Sequence, residues 1–226
     1  MKKLFLFFVL LLLNACLGKD QYETKGYESK HLIDVYYSTD DIRVSSGGGA
    51  IRIIAENFDN ACFSKEFAEF VNIAQNENRQ NQFLDLASRN NDNYEWNVSF
   101  LSLVNSPVKQ EDVACNRALA KGIAKIELES SADFDADHPA GTSLMDIASL
   151  EICSFGKVLG DGSNAGYILA LRKPYSSYSR EELAVVGYYF YLTFDKAPKH
   201  TATHNLTLTI TFDDGSEFSD TVEVKF

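Results

Sequence analysis

Residues 206–226 read LTLTITFDDGSEFSDTVEVKF, and their patterning decides the fold class. Leu206, Leu208, Ile210 and Phe212 alternate with Thr207, Thr209 and Thr211, and after Asp213-Asp214-Gly215 the alternation resumes. There Phe218, Val222, Val224 and Phe226 stand against Glu217, Ser219, Thr221, Glu223 and Lys225. Successive strand side chains point to opposite sides of a sheet, so this is a β-hairpin with one wet face. Parity across the pair fixes the loop. A two-residue turn at Asp214-Gly215 would set Phe212 against Glu217 and mix the faces. Three residues, Asp213 to Gly215, set Ile210 opposite Phe218 and Leu206 opposite Val222, with Gly215 left-handed.

Upstream, residues 183–194 (LAVVGYYFYLTF) are apolar at both parities, as expected of a central strand covered on two sides or carrying an aromatic outer row. Shorter strand candidates are 33–37, 51–55, 97–104, 124–129 and 167–171. Helix signals are fewer. Residues 64–74 place Phe67, Phe70, Val71 and Ala74 at helical spacing behind Ser64 as a cap, 81–87 could form a turn or two, and 143–150 a short helix or turn. The Asn-rich stretch 75–93 reads as a surface excursion. Seven or so strands with few helices predict a mostly β chain: an immunoglobulin-like antiparallel β-sandwich with one or two short helices, forming a single domain over 28–226.

Composition narrows the class. The 226 residues are 45% hydrophobic with a formal net charge of -11, ordinary for a packed globule and unsuited to neutralising phosphates, so no nucleic-acid partner is expected. The N-terminus gives an address. Lys2 and Lys3 precede the unbroken apolar run Leu4 to Leu13, which is too short for a ~30 Å hydrocarbon core and reads as a signal-peptide core. Residues 1–15 are therefore expected to be removed, leaving Cys16 first and 16–27 as a polar tether. Processing would take Lys2 and Lys3 and leave 19 basic against 32 acidic residues. Anionic headgroups would repel such a surface, so lipid would do the holding.

The Leu13-Asn14-Ala15-Cys16 junction resembles the lipobox of bacterial lipoproteins, in which the cysteine is lipidated and becomes the N-terminus. Together with Ser131 to Asp146 (SADFDADHPAGTSLMD) and the closing strand pair, it is similar to small Bacteroidetes-type lipoproteins grouped as a domain of unknown function. The resemblance implies a lipid anchor at Cys16 and a place in the cell envelope, on the outer membrane, with the leaflet open. It implies no catalytic residues.

Several constellations could carry chemistry. Asp133, Asp135 and Asp137 have the alternate spacing of a calcium loop, but an EF-hand would need Gly and Glu where His138 and Leu144 stand. The expected alternative is a solvated acidic turn whose carboxylates cap backbone amides. Of the four histidines, His200 and His204 have no third ligand nearby in sequence for zinc, so no metal or other cofactor is expected. The Gly162–Gly166 segment places its serine wrongly for a nucleophile elbow. Cys62 and Cys115, in polar contexts, are the preferred disulfide pair if one forms, and Cys153 is expected to pack as a small hydrophobe. Tyr175, Tyr178, Tyr189 and Tyr191 either form an exposed row that stacks on sugars or anchors a protein, or make cross-strand pairs with their hydroxyls at the rim. Asp220-Thr221-Val222 fits a short O-glycosylation pattern on the wet face of the hairpin. These readings converge on a lipid-anchored, non-enzymatic binding or structural module with a glycan or protein partner. Alternatives are a subunit of a fimbria-like surface assembly that accepts a partner's strand, or a glycan-processing accessory protein or hydrolase using a carboxylate pair.

Overall fold

The computed structural model describes residues 23–74, 76–92, 98–104, 117–161, 169–199 and 203–226. In chain order the first elements are β1 (Glu23–Ser29), β2 (Val35–Tyr37), β3 (Ile42–Gly47), β4 (Ala50–Ala55), β5 (Cys62–Phe63), α1 (Lys65–Phe70), α2 (Glu77–Arg89), β6 (Val98–Val104) and β7 (Arg117–Leu119). They are followed by β8 (Ile123–Ser130), β9 (Ala148–Ser154), α3 (Gly156–Asp161), β10 (Leu169–Pro174), α4 (Arg180–Ala184), β11 (Val186–Phe194), β12 (Thr203–Phe212) and β13 (Glu217–Lys225).

The closing hairpin has the register that parity requires, with Leu206 facing Val222 and Ile210 facing Phe218. Gly215 takes φ +81°, and the Phe212 amide donates to the Ser216 carbonyl at 2.9 Å across the three-residue loop. β8 adds to the other side of β12, giving the order β13-β12-β8. Every second β12 side chain, from His204 to Phe212, is buried.

The larger sheet is built around β11, which pairs with β9 on one side and with β4 on the other. β10 extends β9, and β3 extends β4. Near its start β11 also meets β7 through Gly187 and Ala118. β7 pairs in parallel with β2, and β2 pairs with β5. An added Cβ at Gly187 would stand 3.0 Å from the Cys153 Cβ, so glycine eases the tight β9–β11 approach at this irregularity. β1 and β6 form a separate antiparallel pair. The chain is thus mostly β, in antiparallel-rich open sheets.

One core joins the two larger sheets. Ile51 and Ile53 of β4, Leu150 and Ile152 of β9, and Phe190 and Leu192 of β11 share a cluster with Ile126 and Leu128 of β8 and Leu206, Leu208 and Ile210 of β12. A second cluster holds Tyr36, Cys62, Ala118 and Val185 with Phe83 and Ala87 of α2 and Phe155, Val158 and Leu159 around α3. The two helices therefore cover the β2, β5 and β7 end of the large sheet.

Helix content exceeds the expected one or two short helices, since four are present among the described residues. α2 runs for 13 residues with Asn76 as its cap, the Arg79 amide donating to Asn76 Oδ1 at 2.9 Å. Only Phe83 and Ala87 are buried along it, so its apolar stripe is too narrow to stand out in the sequence. The run 183–194 is not one strand either. α4 ends at Ala184 behind a capping box formed by Ser179 and Glu182, and β11 begins at Val186.

Candidate functional site

Past the ground covered by α2 and α3, no other described element packs over the side of the large sheet turned away from the main core. Along β11, Phe190 and Leu192 are buried while Tyr189 is 37% exposed and Tyr191 half-buried. The two tyrosine rings stand edge to face, 6.1 Å apart. Tyr188, on the buried parity, stacks on Tyr37 at 5.3 Å and meets Tyr189 edge-on at 5.0 Å, so an aromatic ladder runs from the core to the surface. Packing Tyr188 and Tyr37 together fixes the base of the row, which limits the rotamer freedom Tyr189 would lose on binding.

Sheet order supplies the neighbours. Tyr191 is flanked by Arg52 of β4 on one side and Glu151 of β9 on the other, and Glu151 is paired in register with Arg172 of β10. Tyr189 lies beside Ile54, which in turn faces Arg43 of β3. Arg43, Arg52, Glu151 and Arg172 are all exposed. Arg43 reaches Glu56 at 3.6 Å, and among the described residues Arg172 reaches only the Thr193 hydroxyl, at 3.5 Å. Arg52 makes no ion pair among the described residues. Cys153 borders the row as a half-buried free thiol, raised in pKa by burial.

The other two candidate tyrosines serve the fold. The Ile126 amide donates to Tyr175 Oη at 2.9 Å, and Tyr178 Oη donates to the Leu150 carbonyl at 2.6 Å. Burial pushes the Tyr178 hydroxyl up to about 12. The Lys173 ammonium sits 4.5 Å from the Tyr178 ring centroid while bonding Glu182 at 2.7 Å. Neither ring joins the Tyr189–Tyr191 row.

The acidic loop between β8 and β9 is a clasp. Asp135 accepts from the Asp137 and His138 amides at 2.9 and 3.0 Å, from His138 Nδ1 at 2.7 Å and from Lys196 Nζ at 2.5 Å. His138 Nε2 then reaches Asp146 at 3.0 Å. The carboxylates of Asp146 and Asp135 raise the His138 pKa, while Lys196 and His138 hold Asp135 well below the usual carboxylate range. Asp133 accepts from the Ala140 amide at 2.8 Å. Capping of amides is as expected, but the turn is not simply solvated, since the Asp135 side chain is only 6% exposed. Asp133, Asp135 and Asp137 do not converge on a point, and no cluster able to hold a metal is found among the described residues. Beneath the loop, fully buried Phe134 packs on Phe194, Phe226 and His204.

Other polar groups that could do chemistry are enclosed. Ser130 Oγ and His204 Nδ1 are 2.8 Å apart, but both residues are buried and burial lowers the His204 pKa. His204 Nε2 has no hydrogen-bond partner among the described residues, so no carboxylate completes a triad there. Asp34 is likewise buried, and desolvation pushes its carboxyl up to about 6 although Tyr27, Ser29 and Ser64 all donate to it. Asp92 accepts from the Leu32 and Ile33 amides at 2.8 and 2.9 Å and so ties the end of α2 to the approach to β2. These are struts.

Cys62 is a buried free thiol on β5, not a loop cysteine as its polar sequence context suggested, and burial pushes it up to about 12. Its expected disulfide partner Cys115 lies outside the described residues, as do Cys16, His200 and the Gly162–Gly166 segment. Thr221 is exposed on the wet face of the hairpin, its hydroxyl 3.0 Å from that of Thr207. Arg52, Glu151 and Arg172 were missed in the sequence because strand order alone makes them neighbours of Tyr191. Comparison of the chain with protein-family models, with curated proteins and with solved structures finds no match.

Proposed function

We propose that the protein is a lipid-anchored binding module of the cell envelope, held at Cys16 and presenting the open side of its large sheet to a glycan. The frame we propose for it is immunoglobulin-like, a reading supported by the strict alternation of β12 and by the core shared between two antiparallel-rich sheets. The lipobox-like junction and the positive, then apolar, N-terminal run support the anchor.

The observation that carries the binding reading is the pairing of exposed Tyr189 with half-buried Tyr191 on one sheet face, with Arg52, Glu151 and Arg172 in register beside Tyr191. A tyrosine face offers apolar area to a sugar ring at low entropic cost, and the flanking charged groups offer hydrogen bonds to its hydroxyls. Strand-borne side chains hold such a constellation more firmly than loop-borne ones. Screening on a glycan array tests the reading. A hit lost on Tyr189→Ala supports it, and an array blank for the wild-type chain, or hits untouched by Tyr189→Ala and Tyr191→Ala, overturns it. For the anchor, Cys16→Ala is expected to release the protein from membranes or leave it unprocessed; a correctly cleaved mutant that stays on the membrane contradicts lipidation.

A further inference from the structure

Three of the chain's seven arginines, Arg43, Arg52 and Arg172, project from this one sheet face of a protein whose formal net charge is -11. Arg43 is already matched to Glu56. Arg52 and Arg172 are not matched to a carboxylate among the described residues, and they bracket the Tyr191–Glu151 step of the cross-strand row. An exposed guanidinium is well hydrated and needs no partner for stability. Two of them flanking an aromatic row, however, form a fixed spacing of positive charge on an otherwise acidic molecule.

From this charge complementarity, and resting on the binding reading above, we infer that the ligand is a linear acidic polysaccharide carrying carboxylates at intervals along its chain. Guanidinium groups bind carboxylates through two parallel hydrogen bonds, a geometry that lysine does not offer. β4, β11, β9 and β10 are successive neighbours, so at ~4.8 Å per strand the Arg52 and Arg172 backbones stand roughly 14 Å apart. One carboxylate cannot reach both. A polymer lying across the strands can place one anion on each, with a sugar ring over Tyr191 between them and Tyr189 alongside. Glu151, inside that interval, repels a carboxylate and accepts from hydroxyls, so it favours a chain whose charges are spaced by neutral sugars over one charged at every residue. The negative remainder of the surface opposes a loosely docked polyanion and sharpens the dependence on these two arginines.

The test uses the full chain in detergent micelles against hyaluronan, in which a carboxylate occurs on alternate sugars, against neutral dextran, and against free glucuronate. The expected result is binding to hyaluronan that weakens with added salt, that glucuronate does not compete away, and that falls about tenfold in each of Arg52→Ala and Arg172→Ala, the loss of one charge-assisted contact. All these side chains are exposed, so unchanged circular dichroism of each variant verifies folding. Equal binding of dextran and hyaluronan, lost on Tyr189→Ala but insensitive to the arginines, overturns the acidic-ligand inference and leaves the binding face standing. Hyaluronan binding indifferent to both arginines overturns the inference as well. Failure to bind any polymer, together with a blank glycan array, overturns the binding face itself.

Discussion

The acidic loop over Asp133–Asp146 and the tyrosine row of β11 are the two stretches that looked most like sites in the sequence, and they end in opposite conditions. In the loop, the polar atoms of greatest chemical promise are consumed by the fold, as Asp135 serves two amides, an imidazole and an ammonium. On the sheet, Tyr189 is left 37% exposed and Arg52 faces solvent without an ion pair among the described residues. The difference teaches that a cluster of reactive residue types becomes a site only where tertiary structure leaves the groups unspent. Carboxylates on a short loop can curl back to nearby amides, whereas side chains perpendicular to a sheet have no such local partner.

The contrast can be broken from the loop side first. Phe134→Ala should cost about 3–5 kcal/mol in denaturant unfolding, because it empties a fully buried aromatic contact with three rings; a loss under about 1 kcal/mol would show that the loop is not a structural element. His138→Ala, which removes both carboxylate contacts, should cost about 1–3 kcal/mol. The same clasp gives a pH signature. Folding raises the His138 pKa above its ordinary 6.5, so its contribution is complete below that value and is lost as pH climbs through the raised one. The decline should be missing in His138→Ala, and an identical pH profile in the variant would contradict the clasp.

From the sheet side, Tyr189→Ala or Tyr191→Ala should shift unfolding free energy by no more than about 1 kcal/mol, as surface substitutions do. A much larger loss would mean that the row is packing and not an available face. The smallest expected effect is none: calcium should leave the melting temperature unchanged, and a rise of several degrees abolished by Asp135→Ala would return the loop to candidacy.

How far each region was legible follows from the range of the forces involved. The closing hairpin was readable down to its register because parity and Gly215 are local facts. The capping box at Ser179 and Glu182 was equally local, yet the apolar run 183–194 masked it, and α4 went unforeseen. α2 buries too little to impose a helical period. The outward parity of Tyr189 and Tyr191 was likewise visible in the sequence. Their company was not, since Arg52, Glu151 and Arg172 arrive from three strands whose order no local pattern encodes. The burial of Cys62 depends in the same way on Tyr36 and α2 closing over a two-residue strand.

The placement of β11 has a consequence for how the chain matures. Each of its partners, in β4, β7 and β9, precedes it in the sequence, so a ribosome has already released most of the polypeptide before the keystone of the large sheet emerges. Until then those earlier strands lack the neighbour that would lock them together, and long-range pairing of this kind closes slowly. A nascent chain that cannot finish its principal sheet keeps the apolar residues of β4 and β9 without their closing neighbour until residues 186–194 are made.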